Sequence, residues 1–366
     1  MKAAVLEKLG GSLQVQDIRP PKPRQGEVLI EVAACGVCHS DLHVIKGEIG
    51  FPLPAVLGHE VSGTIEEVAP DVTHLKPGQR VVVSFILPCG RCDYCVRGRD
   101  DLCETFFALN RTKGALFDGE TRLFRHDGSP LAMYSAGGLA EQCVVPASAV
   151  FPIPDSLALE EACILGCAVP TAYGAVRHQA EVAPGQTIAV IGVGGVGSNI
   201  IQIARVFGAS EVIAVDIRDE KLEAAKQLGA TQGVNASRDD PVAKLRELTG
   251  GLGVDVVFEA LGRPETVLNA FNAVHDGGKV VVVGLAKGND AVPIEITRLV
   301  RRSITIKGSY GARMRSDVPD LIRLVAAGRV GILELVSRRY PLSQVGEAYA
   351  ALDRGEVTGR AIVVMQ

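Results

Sequence analysis

The stretch 187–216, "TIAVIGVGGVGSNIIQIARVFGASEVIAVD", decides how this chain is read. An apolar run enters Gly192-x-Gly194-Gly195-x-Gly197, a helical pattern follows over 195–208, a β-branched run starts at Glu211, and Asp216 closes it. Each part has a physical reason. Glycine at 192 permits a tight turn, at 194 it lets backbone approach a pyrophosphate, and at 197 it lets helix and strand pack closely. The free N–H groups at the helix start then suit a phosphate. Asp216 stands where a carboxylate accepts the hydroxyls of an adenosine ribose and repels a 2′-phosphate, which favours NAD over NADP. Arg218 and Lys221 follow closely and soften that preference. A glycine-rich turn without a ligand is the competing reading, and the complete strand-turn-helix-strand-acid unit speaks against it. Ser198, Asn199, Gln202 and Arg205 interrupt the apolar run, so it fits a buried strand and helix better than a membrane span.

Outward from this stretch, strand and helix patterns alternate. "EVIAVD" precedes a helix over 219–229, "GVDVVFEA" one over 264–274, and "GGKVVVVG" and "SITIKGS" read as further strands. That rhythm predicts an α/β, doubly wound parallel sheet of the Rossmann type. Residues 1–150 differ. Turn signals such as "RPPKPRQGE" and "KPGQR" separate short β-branched runs, "EVLIEVAA", "VSGTIEEVA" and "RVVVSFIL". They predict a mainly β unit, a twisted and partly closed barrel. The tail over 317–354 reads as helical, and "RAIVVM" as a last strand that returns to the first domain. The expected division is therefore 1–168 with 310–366, and 169–309; a chain of 366 residues readily forms two domains.

Composition narrows the function classes. The net charge is −4 and no Lys/Arg block occurs, so nothing here attracts nucleic acid. Glu7 and Lys8 break the apolar start too early for a secretory signal, and the expectation is a cytoplasmic protein without a membrane partner. Nine cysteines, an odd number, then argue for metal ligands or catalytic groups over disulfides.

The cysteines cluster. "CGRCDYCVRGRDDLC" places Cys89, Cys92, Cys95 and Cys103 on one lobe, and four close thiolates suit a closed, structural zinc site. An iron–sulfur cluster also takes four cysteines, but the final spacing is wide for ferredoxin runs and no proline follows. The segment 35–60, "CGVCHSDLHVIKGEIGFPLPAVLGHE", offers Cys38 and His59 to a second metal; "ILGCAVPTAYG" offers Cys167 as a third ligand. Cys35, Cys143 and Cys163 read as buried packing.

Together these motifs resemble the zinc-dependent medium-chain alcohol dehydrogenases of the medium-chain dehydrogenase/reductase superfamily. "GHEVSGTIEEVAPDV" fits their zinc signature, G-H-E-x2-G-x5-[GA]-x2-[IVSAC]; "CGVCHSD", the cysteine lobe, "LGC…TAYG" and "GVGGVG" match in order and spacing along essentially the whole chain. The resemblance implies a GroES-like catalytic domain beside the Rossmann domain and two zinc ions per chain. One would be catalytic on Cys38, His59 and Cys167, and one structural on Cys89, Cys92, Cys95 and Cys103. Glu60 and Asp41 would lie behind the ligands, Asp41 orienting His59. Zinc would act as a Lewis acid while hydride passes to the nicotinamide of NAD. Ser40 would take the alcohol proton, pass it through the coenzyme's ribose hydroxyl and hand it to His43 near solvent.

By position, His39, Thr171, Val196, Lys221 and Arg360 would touch the coenzyme, with Arg360 on the pyrophosphate. His39 falls where some relatives have an arginine, which predicts weaker NAD binding here. Phe85, Met133, Leu139 and Leu285 would line the substrate pocket, with Ala108 near its mouth. Without an Arg or Lys among them, they suggest uncharged primary or secondary alcohols, cyclic and aromatic ones included, and the matching aldehydes or ketones. The long segment after the lobe also resembles the thiol-adduct branch, which oxidises S-hydroxymethyl thiols formed from formaldehyde. A non-catalytic NAD-binding sensor that keeps only structural zinc is the reading from another class. Relatives form homodimers or homotetramers, and "RRSITIKGSYGA" could supply the pairing edge.

Overall fold

Val, Ile and Ala dominate the runs between turn residues, and in the computed structural model, which describes residues 1–288 and 290–365, these runs pair as strands. Two compact units result. One comprises Thr171–Ala312 with Gly328–Gly331; the other comprises Met1–Pro170, Arg313–Ala327 and Ile332–Gln366.

The first of these holds a six-stranded sheet in the order Gln232–Asn235, Glu211–Asp216, Thr187–Ile191, Val254–Glu259, Val274–Val282, Thr305–Gly308. Every pairing is parallel. The expected doubly wound sheet is present. From Thr187–Ile191 the chain first builds outward on one side, then returns to add Val254–Glu259 on the other. The order therefore reverses beside Thr187–Ile191, and in such sheets ligands bind at the strand carboxyl ends at that point. Gly192 begins there. Val, Ile and Ala of the inner strands are buried together with Leu245 and Phe271 from the covering helices.

Two elements of this unit show how local signals differ. Gln232–Asn235 is an edge strand with one apolar residue, too short for a periodic signal. The helix Pro241–Leu248 does announce itself: Asp240 caps it by accepting from Ala243 N at 2.9 Å, and proline occupies its first turn.

The other unit is mainly β. Glu27–Gly36 is its longest strand and pairs antiparallel with Val61–Val68, Gln142–Pro146 and Arg360–Val364 within a seven-stranded sheet. A five-stranded sheet contains Lys2–Leu6 and Pro130–Met133. The last strand, Arg360–Val364, thus lies beside Glu27–Gly36 in this unit. The tail before it is not continuously helical: between the helices Met314–Ala326 and Val345–Asp353 lies a strand, Val336–Pro341, parallel to Arg360–Val364. Its residues "VSRRYP" are mostly exposed and carry no helical apolar stripe, so pairing rather than side-chain burial fixes it. No helix among the described residues is long and apolar enough to cross a membrane.

Candidate active site and metal centres

The segment 35–60 delivers its ligands through two tight backbone features. Cys38 is extended and caps the helix His39–Lys46, so its thiol leaves the chain just past the end of Glu27–Gly36. His59 follows Gly58, whose φ is +96°. A Cβ there would stand 2.6 Å from Leu139 N, so only glycine admits this turn. Cys167 ends the short helical turn Glu161–Gly166. Ligand atoms of Cys38, His59, Glu60 and Cys167 all lie within 4.8 Å of one another, on buried residues.

Hydrogen bonds fix the imidazole. His59 Nδ1 faces Asp41 Oδ1 at 3.1 Å, and Asp41 Oδ1 also accepts from Gly58 N at 3.1 Å. With its proton on Nδ1, His59 carries its lone pair on Nε2. That atom is buried and has no hydrogen-bond partner among the described residues. A buried lone pair aimed at two thiols is costly without a Lewis acid, and two thiolates with one imidazole form a zinc donor set that leaves a fourth position for substrate. The residues therefore fit zinc.

Charge reinforces the fit. The hydrogen bond shared with Cys167 holds the Cys38 thiol well below its ordinary value against the opposing effect of burial, with His59 and Arg360 adding positive charge; Cys167 is pushed up by the same bond and by burial. Burial favours the neutral ring, but Asp41 and Cys38 outweigh it and raise His59 well above its ordinary value, so the ring must give up its Nε2 proton to ligate a metal. Burial lifts Glu60 to about 7, although Arg360 opposes this. Arg360 Nη2 donates to Glu60 Oε1 at 2.6 Å, and Nη1 donates to Val37 O at 3.3 Å. Arg360, expected near a pyrophosphate, is thus a buried neighbour of the ligand cluster. Its pairing with Glu60 was not legible in the sequence.

The second cluster is the lobe. The sulfurs of Cys89, Cys92, Cys95 and Cys103 also lie within 4.8 Å of one another. Backbone N–H groups of Cys89 and Cys92 donate to the sulfurs of Cys103 and Cys89, both at 3.3 Å. Despite burial, hydrogen bonds from Thr105 and from the backbone of Arg91 and Cys92 hold the Cys89 thiol down at about 6, while burial pushes Cys103 up to about 11. Arg315 Nε and Nη2 donate to Asp100 inside the lobe, which ties it to the helix Met314–Ala326. All nine cysteines are free.

Other expected residues fall as follows. Ser40 Oγ is 3.8 Å from Cys38 Sγ, at the ligand cluster. His43 Nδ1 pairs with Glu48, whereas His39 is exposed at the start of the same helix. Phe85 packs against the ligand: its ring centroid lies 5.9 Å from that of His59. Met133 and Leu139 are buried in the same unit; Leu285 belongs to the other unit and is exposed. Two further neighbours carry no signal in the sequence. Tyr134 lies 5.8 Å from the His59 ring, and the Arg111 guanidinium stands 4.1 Å from the Tyr134 ring centroid and 5.9 Å from that of Phe85. A cation thus stands beside an expected pocket wall, carried by a wide π-helical turn, Phe106–Arg111, that no periodicity announced.

In the parallel-sheet unit, Gly192 has φ +92°, and a Cβ on Gly197 would lie 2.0 Å from Gly192 O. Around Gly194 there is open space. Asp216 Oδ2 accepts from Val193 N at 2.9 Å, and its Oδ1 accepts from Ile217 N and Arg218 N, so the acid is locked beside the glycine turn. Thr171 is buried, and Val196 and Lys221 are half-buried.

Comparison with known proteins gives the same picture. Residues 24–155 match the alcohol dehydrogenase GroES-like domain, and 195–327 match the zinc-binding dehydrogenase family. The chain is 39% identical over 361 residues to the NDMA-dependent alcohol dehydrogenase of Amycolatopsis methanolica, covering 97% of this chain and 96% of that one. An alcohol dehydrogenase zinc-binding domain protein from Burkholderia ambifaria matches with a TM-score of 0.94 at 35% identity, over 100% of this chain and 98% of that one. Benzyl alcohol dehydrogenase from Acinetobacter calcoaceticus matches with a TM-score of 0.93 at 32% identity, over 100% and 99%. With likeness along its full length and both cysteine clusters gathered, the chain belongs to the zinc-type medium-chain alcohol dehydrogenases.

Proposed function

We propose that this protein is a zinc- and NAD-dependent alcohol dehydrogenase that interconverts primary or secondary alcohols with aldehydes or ketones in the cytoplasm. The single observation that carries this reading is the buried convergence of Cys38, His59 and Cys167, with Asp41 behind the imidazole. Zinc held by these three residues supplies Lewis acidity to the alcohol oxygen. The chain's own residues do the rest. Asp41 fixes the His59 tautomer, Ser40 at the cluster takes the alcohol proton, and His43, oriented by Glu48, hands it to solvent. The glycine turn and Asp216 favour NAD over NADP. The lobe holds a second, structural zinc. Family relatives make a homodimer or homotetramer the expected assembly.

The test is a metal count with a substrate panel. Two zinc ions per chain, and NAD-linked oxidation of benzyl alcohol and simple aliphatic alcohols, are expected; NDMA belongs in the panel because a relative depends on it. A single zinc with unaltered NAD binding and no turnover would instead indicate the sensor reading.

Arg111 favours a second reading. A guanidinium beside Tyr134 and Phe85 suits a substrate with a carboxylate or carbonyl arm, as a thiol adduct of formaldehyde would carry. Formaldehyde oxidation that requires glutathione or a comparable thiol, and that Arg111→Met reduces about tenfold or more in kcat/KM while benzyl alcohol oxidation persists, would establish it.

A further inference from the structure

We infer that Tyr349 is a positioning residue for His59: acting through Asp41, it sets how firmly the Cys38–His59–Cys167 cluster holds zinc. The inference rests on the zinc reading of that cluster and adds a group that no ligand motif contains.

Asp41 is wholly buried, and its two oxygens have separate duties. Oδ1 serves His59 Nδ1 and Gly58 N, both at 3.1 Å. Oδ2 accepts the hydroxyl of Tyr349 at 3.0 Å. A carboxylate is planar, so anchoring one oxygen fixes the direction of the other. Without such an anchor the terminal torsion of an aspartate is broad. The hydroxyl therefore holds the plane in which Oδ1 meets the imidazole. Groups behind a metal-bound histidine control its orientation and basicity, and with them metal affinity.

Tyr349 comes from the helix Val345–Asp353, 308 residues from Asp41. The strand that follows, Arg360–Val364, brings Arg360 to Glu60. The C-terminal segment thus addresses both acids beside the ligands, one by a neutral hydroxyl and one by a cation. Tyr349 is itself buried, so if its hydroxyl is removed, bulk solvent does not readily replace the lost donor.

The experiment uses the full chain carrying both zinc ions, with Tyr349→Phe, Asp41→Ala and the double variant. Zinc release to a chromogenic chelator is followed, and the lobe's zinc serves as internal control for an intact fold. Tyr349→Phe is expected to weaken the cluster's zinc about tenfold, the lower end for loss of a group behind a metal-bound imidazole. The lobe's zinc should be unchanged. In cobalt-substituted protein the visible bands of the cluster should shift. In the Asp41→Ala background the same substitution should add nothing, because the link is already cut. Unchanged release from the cluster, equal loosening of both zinc ions, or additive effects in the double variant would overturn the inference. A wild-type chain that binds zinc at the lobe alone would overturn the zinc reading itself, and is told apart by the metal count before any substitution.

Discussion

Glu60 and Arg360, 300 residues apart in the chain, meet at 2.6 Å in a pair whose side chains are 0% and 4% exposed. In so dry a place the partner left behind decides the energetics. Arg360→Met strands the Glu60 carboxylate and should cost about 3–5 kcal/mol of stability. Adding Glu60→Gln to it should recover much of that loss. Denaturant unfolding of the two single variants and the double variant measures this; additive losses would mean that the pair is not the relevant unit.

Coenzyme choice should reside in Asp216. Its carboxylate is held beside the glycine turn by Val193 N, Ile217 N and Arg218 N. Asp216→Ala removes the charge that repels a 2′-phosphate, with Arg218 and Lys221 still at hand. The NAD/NADP ratio of kcat/KM should fall about tenfold or more, equivalent to about 1.4 kcal/mol of discrimination. An unchanged ratio would remove Asp216 from the ribose site.

His39 is exposed at the first position of the helix His39–Lys46. If the coenzyme pyrophosphate reaches it, His39→Arg replaces a mostly neutral ring with a permanent cation able to make a bidentate contact. The NADH dissociation constant should drop several-fold, about 1 kcal/mol. Fluorescence titration of NADH reads it directly, and no change would place the pyrophosphate elsewhere.

A pH-dependent contribution is expected within the parallel-sheet unit. His275 Nε2 faces Asp255 Oδ1 at 3.0 Å and Nδ1 faces Asp276 O at 2.6 Å. Both nitrogens therefore address acceptors, which only the doubly protonated ring satisfies. Burial opposes the charge, but these bonds raise His275 above its ordinary value. A raised folded-state value means that the stabilisation is complete below the unfolded histidine's pKa, about 6.5, and is lost as pH climbs through the folded one. The pair is partly exposed, so its worth is below about 1 kcal/mol. The Tm gap between wild type and His275→Gln should be largest near pH 5.5 and close by about pH 9; a gap independent of pH would contradict the assignment.

What the sequence determined by itself is local. Glycine spacing at 192–197, the cysteine lobe and the Gly58-His59-Glu60 turn each sit within a few residues, and backbone geometry alone translates such spacing into a loop that presents ligands. The parallel sheet was equally legible, because alternating apolar runs state their own period. Tertiary structure decided the partners. Nothing near Asp41 in the chain points to Tyr349, nothing near Glu60 points to Arg360, and nothing near Phe85 points to Arg111. These contacts exist because a returning strand, a C-terminal helix and an aperiodic turn happen to pack there, and packing between distant segments leaves no period in a single sequence. Edge strands such as Gln232–Asn235 and Val336–Pro341 stayed hidden for a related reason: ladder hydrogen bonds to a neighbour hold them, not the burial pattern of their own side chains.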